Sequence, residues 1–441
     1  MKKSIWKYKK IHMIGVKGVG MTALAEVLLA NGFLVRGADT KEQFMTDEVL
    51  ARLGVPVADF SAQNIRGNDA VVHSNAYSDE NNEEMRAARD ARIPVFSYPE
   101  VVAEFFNAHH GIAIAGSHGK TTTTAMLAHL LHYAQRNVTS IVGSKVLNWG
   151  CGALAGDLKK PDALFVLEAD EYKEAFLNYR PQGAIITNID YDHPDYYRRP
   201  EDYQAAFVKF VASISPNGFL VIGDSENALS EIARSAACKV IVMRKDDMIA
   251  FALQTPGEHN RQNANLAYRV ALELGISAQV ARAGLEDFKG TTRRLEYIGK
   301  SHASPVFDDY AHHPTEIRAT LAALKMKYPK KRIIAIFQPH TYSRTKTLFD
   351  DFAHAFEDAE SVVLTSVYAS AREKKEGSGN EVDMEEMTAM INKTKKKKAV
   401  FIEDIADIPA YVAKRLGADA VAVTLGAGDI GRVGYVLVKG E

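Results

Sequence analysis

Cysteine is nearly absent, with only Cys151 and Cys238 in a chain of 441 residues. Two thiols so far apart offer neither metal-ligand spacing nor a disulfide framework, which fits a reducing compartment, and buried packing is the role expected of both. An excess of either charge is also lacking, with 54 basic side chains against 55 acidic ones. No global field is therefore expected to draw in nucleic acid or an anionic membrane. No apolar run approaches the roughly 18 residues of a membrane span, and the opening MKKSIWKYKK has no apolar core of a secretory signal. A cytoplasmic protein with no nucleic-acid and no membrane partner is expected. Hydrophobic residues at 46% and charged residues at 25% suit a soluble globular chain. Its length is too great for one core and implies about two to four domains.

The most informative stretch is GSHGKTTTT from Gly116. An apolar strand, Ile112 to Ala115, runs into it, and Thr121 to Leu131 reads as an amphipathic helix. Strand, loop and helix in this order make a phosphate cradle. Backbone N–H groups of Gly116, Gly119 and Lys120 can wrap phosphate oxygens at the positive end of the helix, because glycine lets the main chain approach. Lys120 is expected to reach the β- and γ-phosphates, and the Thr121 hydroxyl is the natural Mg²⁺ ligand. The alternative is a glycine turn before a helix with a stray lysine.

From the start of the chain, strand Lys10 to Ile14 leads into GVKGVGM, and Met21 to Asn31 continues as a helix. Gly15, Gly18 and Gly20 have dinucleotide-binding spacing, and strand Leu34 to Gly37 ends at Asp39, placed for a ribose hydroxyl. A tight turn without a ligand is the competing reading. Helix Thr46 to Leu53, strand Ala70 to His73, helix Asn82 to Ala91 and strand Pro94 to Ser97 extend the alternation. Such repetition implies a parallel sheet covered on both faces. Phe105 to His110 reads as an exit to a second domain.

Beyond the phosphate loop, strand Leu164 to Leu167 runs into EADEY, delivering Glu168, Asp170 and Glu171 to the sheet edge on which that loop opens. Strand Gly183 to Thr187 runs into TNIDYDH and brings Asn188, Asp190, Asp192 and His193 to the same edge. Hard divalent cations favour such oxygens. Helix Tyr203 to Ser213, strand Gly218 to Ile222 and a helix from Arg261, with His259, Asn260 and Asn263 at its start, complete this unit. Capping is a competing role for Asn260. The stretch GTTRR, Gly290 to Arg294, reads as a linker to a third α/β unit. Its strands are Ser304 to Asp308, Arg332 to Phe337, Ser361 to Leu364, Lys398 to Phe401 and Ala420 to Leu425. Its helices are Pro314 to Lys327, Lys346 to Ala355 and Ile408 to Leu416, with polar loops at Arg372 to Asn380 and Lys393 to Lys398.

Nine segments in order, GVKGVGM, GSHGKTTTT, EADEY, TNIDYDH, PGEHNRQNA, GTTRR, DDYAHHPTE, FQPHTYSRT and GAGDIG, resemble the Mur ligase family and span almost the whole chain. The resemblance implies an α/β fold of three domains. These are an N-terminal Rossmann-like domain for a UDP-sugar, 1–107, a central P-loop ATPase-like domain with a mainly parallel sheet, 108–291, and a C-terminal Rossmann-like domain for an amino acid, 292–441. It also reassigns the first glycine loop: Gly15, Gly18, Gly20, Met21, Asp39, Ser74 and Asn75 would hold the UDP-sugar rather than NAD.

By the same resemblance the chemistry is ATP-dependent amide formation through an acyl phosphate, and the motifs are most similar to the branch that joins L-alanine to UDP-N-acetylmuramate. Gly116, Ser117, His118, Gly119, Lys120, Thr121 and Thr122 would bind ATP, with His259 and Asn263 facing adenine and Arg294 reaching the phosphates. Two Mg²⁺ ions are implied, one on Thr121 and one on Glu168 with His193. Tyr310, His312 and Arg344 would lie near the amino acid, Arg344 pairing with its carboxylate. Catalytic roles fall to Lys120, Glu168, His193, His312 and Arg344. A monomer or weak homodimer is expected.

Three departures from the family pattern are visible. The position of a carbamylated lysine in other members falls near Ala206, with Lys209 a turn away, and its absence agrees with the alanine-adding branch. Thr341 replaces an arginine. The stretch 227–256 is short, which implies a trimmed antiparallel sheet. EADEY with Phe176 also resembles the branch that recycles murein tripeptides, and a ligase for another cell-wall precursor is a further alternative. An NAD-dependent oxidoreductase using Gly15 to Gly20 would have no use for Lys120, and a nucleotide-binding regulator on an inactive ligase fold would not need Lys120, Glu168 and His193.

Overall fold

A computed structural model describes residues 3–223, 228–369, 382–394 and 398–440. The polar loop 372–380 and residues 395–397 of the lysine run lie outside them. Three sheets form, each mainly parallel, in a three-domain α/β architecture.

The first sheet holds β1 (Lys10–Ile14), β2 (Leu34–Ala38), β3 (Val57–Ala58), β4 (Ala70–His73) and β5 (Val95–Ser97). All its pairings are parallel, in the order β3-β2-β1-β4-β5. The order reverses between β1 and β4, so the glycine loop after β1 opens at the switch point where such sheets take ligands.

In the second sheet β6 (His110–Ala115), β7 (Val138–Val146), β8 (Cys151–Leu154), β9 (Leu164–Glu168), β10 (Gly183–Ile186), β11 (Phe219–Gly223) and β12 (Lys239–Met243) run in the order β12-β11-β10-β6-β9-β7-β8. Among the described residues of this sheet only β7 and β8 pair antiparallel. Ile112 to Ala115 is buried without a break, as expected of a strand covered on both faces. β6 lies between β10 and β9, so the phosphate loop also opens at a switch point.

The third sheet holds β13 (Glu296–Ser301), β14 (Ser304–Asp309), β15 (Arg332–Phe337), β16 (Ser361–Leu364), β17 (Lys398–Phe401) and β18 (Ala420–Leu425), ordered β13-β14-β18-β15-β16-β17. Alternation along β15 sorts its side chains into two cores. Ile333, Ala335 and Phe337 join one, and Ile334 and Ile336 the other, as the two-residue period of a strand requires. Phe337 is wholly buried with Phe352 and Phe356, its ring 5.4 Å from each of theirs; burial of such a side chain contributes roughly 2–3 kcal/mol.

The chain divides into two compact units. The first comprises Met1–Asp190, Gln204–Ala252 and Asn263–Lys289 and carries the first two sheets; the second comprises Tyr191–Tyr203, Leu253–Gln262 and Gly290–Glu441 and carries the third. Within the first unit the helix after the glycine loop, Val19–Ala30, packs on β7 and β8. Asn31 at its end bonds the Gly156 carbonyl at 3.2 Å and the Leu158 N–H at 2.8 Å. The helix is therefore tied to both sheets. Cys151 is buried with its Sγ 3.4 Å from Glu26 Oε1, whereas Cys238 is only half-buried. Among the described residues no helix is long and apolar enough to cross a membrane.

Several elements differ from their sequence expectation. The segment Phe105 to His110, read as an interdomain exit, is not one of these: it joins the end of the helix Tyr98–Asn107, set by a capping box of Ser97 and Glu100 with a proline in its first turn, to β6 of the second sheet. The helix expected from Arg261 begins at Glu258. Asn260 lies inside it and donates from Nδ2 to the Pro256 carbonyl at 2.8 Å, rather than accepting as a cap. The helix expected over Lys346 to Ala355 is two short ones, Tyr342–Thr347 and Phe349–Ala353, parted at Leu348. In the described part of 227–256 the one strand is β12, parallel to β11; the antiparallel pair of this sheet stands at its other edge.

Candidate active site

Two glycines fix the phosphate loop. Gly116 has φ +127° and a Cβ there would lie 2.1 Å from Thr187 Oγ1; Gly119 has φ +81° and its Cβ would lie 2.7 Å from Asn263 Oδ1. Both the left-handed backbone and the close neighbours exclude a side chain. Replacing either glycine by alanine is expected to abolish nucleotide binding by the loop, measured by titration calorimetry. Retained affinity would show that the loop does not need this shape.

The loop is clamped to the end of β10. Asn188 accepts the Ser117 N–H through its carbonyl at 3.1 Å and the His118 N–H through Oδ1 at 3.0 Å. Thr187 Oγ1 and Asn188 Nδ2 both donate to the His118 carbonyl, at 2.6 and 3.0 Å. The Ser117 hydroxyl donates to the Asp190 carbonyl at 2.6 Å, and the His118 ring stands 3.1 Å from Asp190 Oδ2. The N–H groups of Ser117 and His118 are thus engaged within the chain. Gly119 caps the helix Lys120–Tyr133, whose first turn turns its N–H groups toward the loop. Thr122, in that turn, is buried.

Lys120 does not stand free above the loop. Its Nζ donates to the carbonyls of Gly116 at 2.6 Å and Ser117 at 3.1 Å and pairs with Glu171 at 2.8 Å. Burial acts to lower its pKa, but Glu171, with Asp170 and Glu168, outweighs that and keeps the ammonium protonated. Burial pushes the Glu171 carboxyl up to about 7, with Lys120 opposing. Thr121 Oγ1 donates to Glu168 Oε1 at 2.8 Å, and Glu168 Oε2 accepts the Gly143 N–H at 3.0 Å. Thr121 and Glu168 therefore meet as a pair of hard oxygen donors, a set that fits Mg²⁺. The glycine cradle and the lysine fit a nucleotide's phosphates.

At the glycine loop, Gly15 has φ +78°, and a Cβ there would lie 2.6 Å from the Tyr77 ring and 2.8 Å from Ser74 Oγ. Gly20 is closed in by Tyr98, 3.0 Å from where its Cβ would stand. Gly18 precedes the first helical residue, Met21 is buried, and Asn75 is exposed. Asp39 is engaged by the main chain. Its carboxylate accepts the N–H groups of Lys17 at 2.7 Å and Thr40 at 2.8 Å and is 6% exposed. It braces the loop through these bonds, and its carboxylate keeps a further acceptor position for a ligand.

The second unit gathers the remaining residues. Arg344, 5% exposed, donates from Nε to Asp192 Oδ1 at 2.9 Å. Burial acts to raise the Asp192 pKa, yet the Arg344 guanidinium outweighs it and holds the carboxyl well below the usual carboxylate range. His193 has φ +57° and donates its N–H to Asp192 Oδ1 at 2.7 Å. Thr341 also has a left-handed backbone, φ +65°, a conformation that a β-branched residue adopts only under constraint. The Tyr310 and His312 rings are 5.3 Å apart, and Arg294 lies 5.0 Å over Tyr310. Burial pushes His312 down to about 3 and His259 down to about 4, with Glu316 opposing in both, so both imidazoles are neutral at physiological pH. His259 belongs to this unit and Asn263 to the first.

Sequence reasoning gave no role to Asp309, which accepts from the Leu295 N–H at 2.9 Å, the Ala311 N–H at 2.8 Å and the Thr320 hydroxyl at 3.0 Å. It fastens the residues beside Arg294 to those beside Tyr310. Its position at the end of an apolar strand was the available signal. Lys209, weighed as a neighbour of the missing lysine, pairs instead with Glu174 at 2.8 Å, and Ala206 is buried.

Three family descriptions match the chain in succession: Mur ligase family, catalytic domain, over 10–110; Mur ligase middle domain, over 114–250; and Mur ligase, glutamate ligase domain, over 293–428. The chain belongs to the Mur ligase family. This Mur ligase is 38% identical over 453 residues to the UDP-N-acetylmuramate–L-alanine ligase of Desulfitobacterium hafniense, covering 97% of this chain and 99% of that one. It is 37% identical over 470 residues to the ligase of the same name from Treponema pallidum, covering 97% and 96%. The crystal structure of the Thermotoga maritima UDP-N-acetylmuramate-alanine ligase superposes with a TM-score of 0.77 at 27% identity over 98% of each chain. A murein peptide ligase from Psychrobacter arcticus shares the fold, with a TM-score of 0.69 at 24% identity over 98% of each chain.

Proposed function

We propose that this chain joins L-alanine to the lactyl carboxylate of UDP-N-acetylmuramate in an ATP-dependent reaction through an acyl phosphate. The observation that carries the reading is the meeting of Thr121 with Glu168 beside Lys120, at the sheet switch point of a chain 38% identical to ligases of that name. A carboxylate is too poor an electrophile for an amine to attack, so it first takes the γ-phosphoryl group of ATP, and the amine then displaces phosphate. ATP supplies the phosphoryl group, and Mg²⁺ supplies charge that screens it.

In this reading Gly116 to Thr122 hold the phosphates, and Lys120 offsets the charge that develops on the transferring group. Thr121 holds one Mg²⁺ and Glu168, with His193, a second, and His259, Asn263 and Arg294 contact the nucleotide. Gly15, Gly18, Gly20, Met21, Asp39, Ser74 and Asn75 line the UDP-sugar site, where Asp39 also keeps the loop in shape. Tyr310, His312 and Arg344 take the amino acid. Boundaries at 107 and 291, a cytoplasmic location and a monomer or weak homodimer complete the proposal.

A phosphate-release assay with purified protein, ATP, Mg²⁺ and UDP-N-acetylmuramate tests it against L-amino acids and the murein tripeptide L-Ala-γ-D-Glu-meso-diaminopimelate. Alanine-dependent release is expected. Release that requires the tripeptide instead would assign the chain to the recycling branch, and release with neither would overturn the proposal.

A further inference from the structure

Glu171 has no part in the chemistry above, yet its side chain is 0% exposed and both of its carboxylate oxygens lie within 3.0 Å of Lys120 Nζ. The same ammonium donates to the Gly116 and Ser117 carbonyls, so its three N–H groups point back into the chain. Glu171 is also held in place. Its carbonyl accepts the Glu174 N–H at 2.9 Å, and Phe176 beyond it stacks on Phe210 at 4.8 Å and meets Phe207 edge-on at 5.2 Å. Between these anchors Lys173 and Glu174 both adopt left-handed backbone, φ +52° and +56°. Residues other than glycine keep that conformation where the surroundings enforce it. The carboxylate is fixed against the ammonium rather than resting there by chance.

A triphosphate seated on the loop presents negative charge to this same ammonium. Buried charges interact strongly because little water screens them, so the phosphates and Glu171 compete for one cation. We propose that Glu171 is a positioning residue that holds Lys120 in the nucleotide-free chain and releases it to the β- and γ-phosphates of a nucleoside triphosphate, setting the affinity for that ligand. The inference rests on the ligase reading of the phosphate loop.

The test is calorimetric binding of a non-hydrolysable ATP analogue, AMPPNP, with Mg²⁺, to the wild-type chain and to Glu171→Gln, which keeps the size and removes the charge. The variant should bind AMPPNP about tenfold tighter. The gain should vanish when Lys120→Met is added, which a purely structural role would not produce. An unchanged or weaker affinity, or an equal gain without the lysine, would overturn the inference. A second measurement needs no variant at Glu171: in lysine-labelled wild-type protein, the Lys120 side-chain resonance, assigned through Lys120→Met, should move on adding AMPPNP and stay in place with adenosine. The same movement with both, or none with AMPPNP, would overturn it. Wild-type protein that binds no AMPPNP would overturn the ligase reading and this inference together; binding without the gain would overturn this inference alone.

Discussion

Replacing Lys120 by alanine should lower the rate of ADP formation by roughly 10³-fold or more if, as proposed, the ammonium turns to the transferring phosphoryl group in a step that depends mainly on positioning and electrostatics. Binding of UDP-N-acetylmuramate should survive, since the glycine loop belongs to another sheet and is braced by Asp39 and Tyr77 rather than by the phosphate loop. A second effect follows from the burial of Glu171. With the lysine gone, a carboxylate at 0% exposure loses its countercharge, and breaking a buried pair in this way costs on the order of 3–5 kcal/mol. The activity loss must therefore be separated from the stability loss. Adding Glu171→Gln to the alanine variant should restore most of the thermal stability while ADP formation stays low. Normal turnover in the single variant would refute the role of Lys120, and recovery of turnover in the double variant would mean that the single change acted through folding alone.

The phosphate loop was legible in the sequence because everything that builds it is local. A buried strand, two glycines and the first turn of a helix follow one another from Ile112 to Leu131, and each is written in the pattern of its own residues. Four strands of the third sheet were legible for the same reason: β15, β16, β17 and β18 have the bounds that the apolar runs imply, whereas β13 was not read. Strand β7 was not, since its glycine and serine interrupt the apolar pattern and it is recognisable mainly by its pairing with β8 and β9.

Partners distant in sequence were also hidden. Nothing in the spacing says that Asn188 takes the N–H groups of Ser117 and His118, or that Glu171, 51 residues on, would hold Lys120. Asp39 is a similar case. Its position after β2 is the one a ribose-binding carboxylate occupies, and only the structure shows that its oxygens also accept the N–H groups of Lys17 and Thr40. Spacing identifies which residues arrive at an edge; it does not say which of them another residue has already engaged.

The pair of Arg344 and Asp192, 152 residues apart, leads to the other large effect. Arg344→Ala should raise KM for the amino acid by about 10- to 100-fold, the loss expected when a charge-assisted contact to a carboxylate is removed, with a smaller change in kcat. The structure adds a stability effect with a definite pH dependence. In the wild-type chain the folded pKa of Asp192 is depressed, so its contribution is present above the unfolded value of about 3.9 and is lost only as pH falls below that. Without Arg344 the largest influence opposing burial is gone, and the folded pKa of the carboxyl is expected to rise above its unfolded value, which reverses the sign. The variant's stability should then fall as pH rises from about 4 toward neutrality. The difference in stability between wild type and variant is therefore expected to be largest near pH 7, about 3–5 kcal/mol for a broken buried pair, and to shrink toward pH 4. Thermal unfolding across that range measures it. Asp192→Asn added to the arginine variant should remove the pH dependence, because no buried charge is left, while KM for the amino acid stays high, because the guanidinium is still missing. A gap in stability that does not change with pH would show that Arg344 acts through packing rather than through its charge. An unchanged KM for the amino acid would remove Arg344 from the substrate site and leave it as a partner of Asp192.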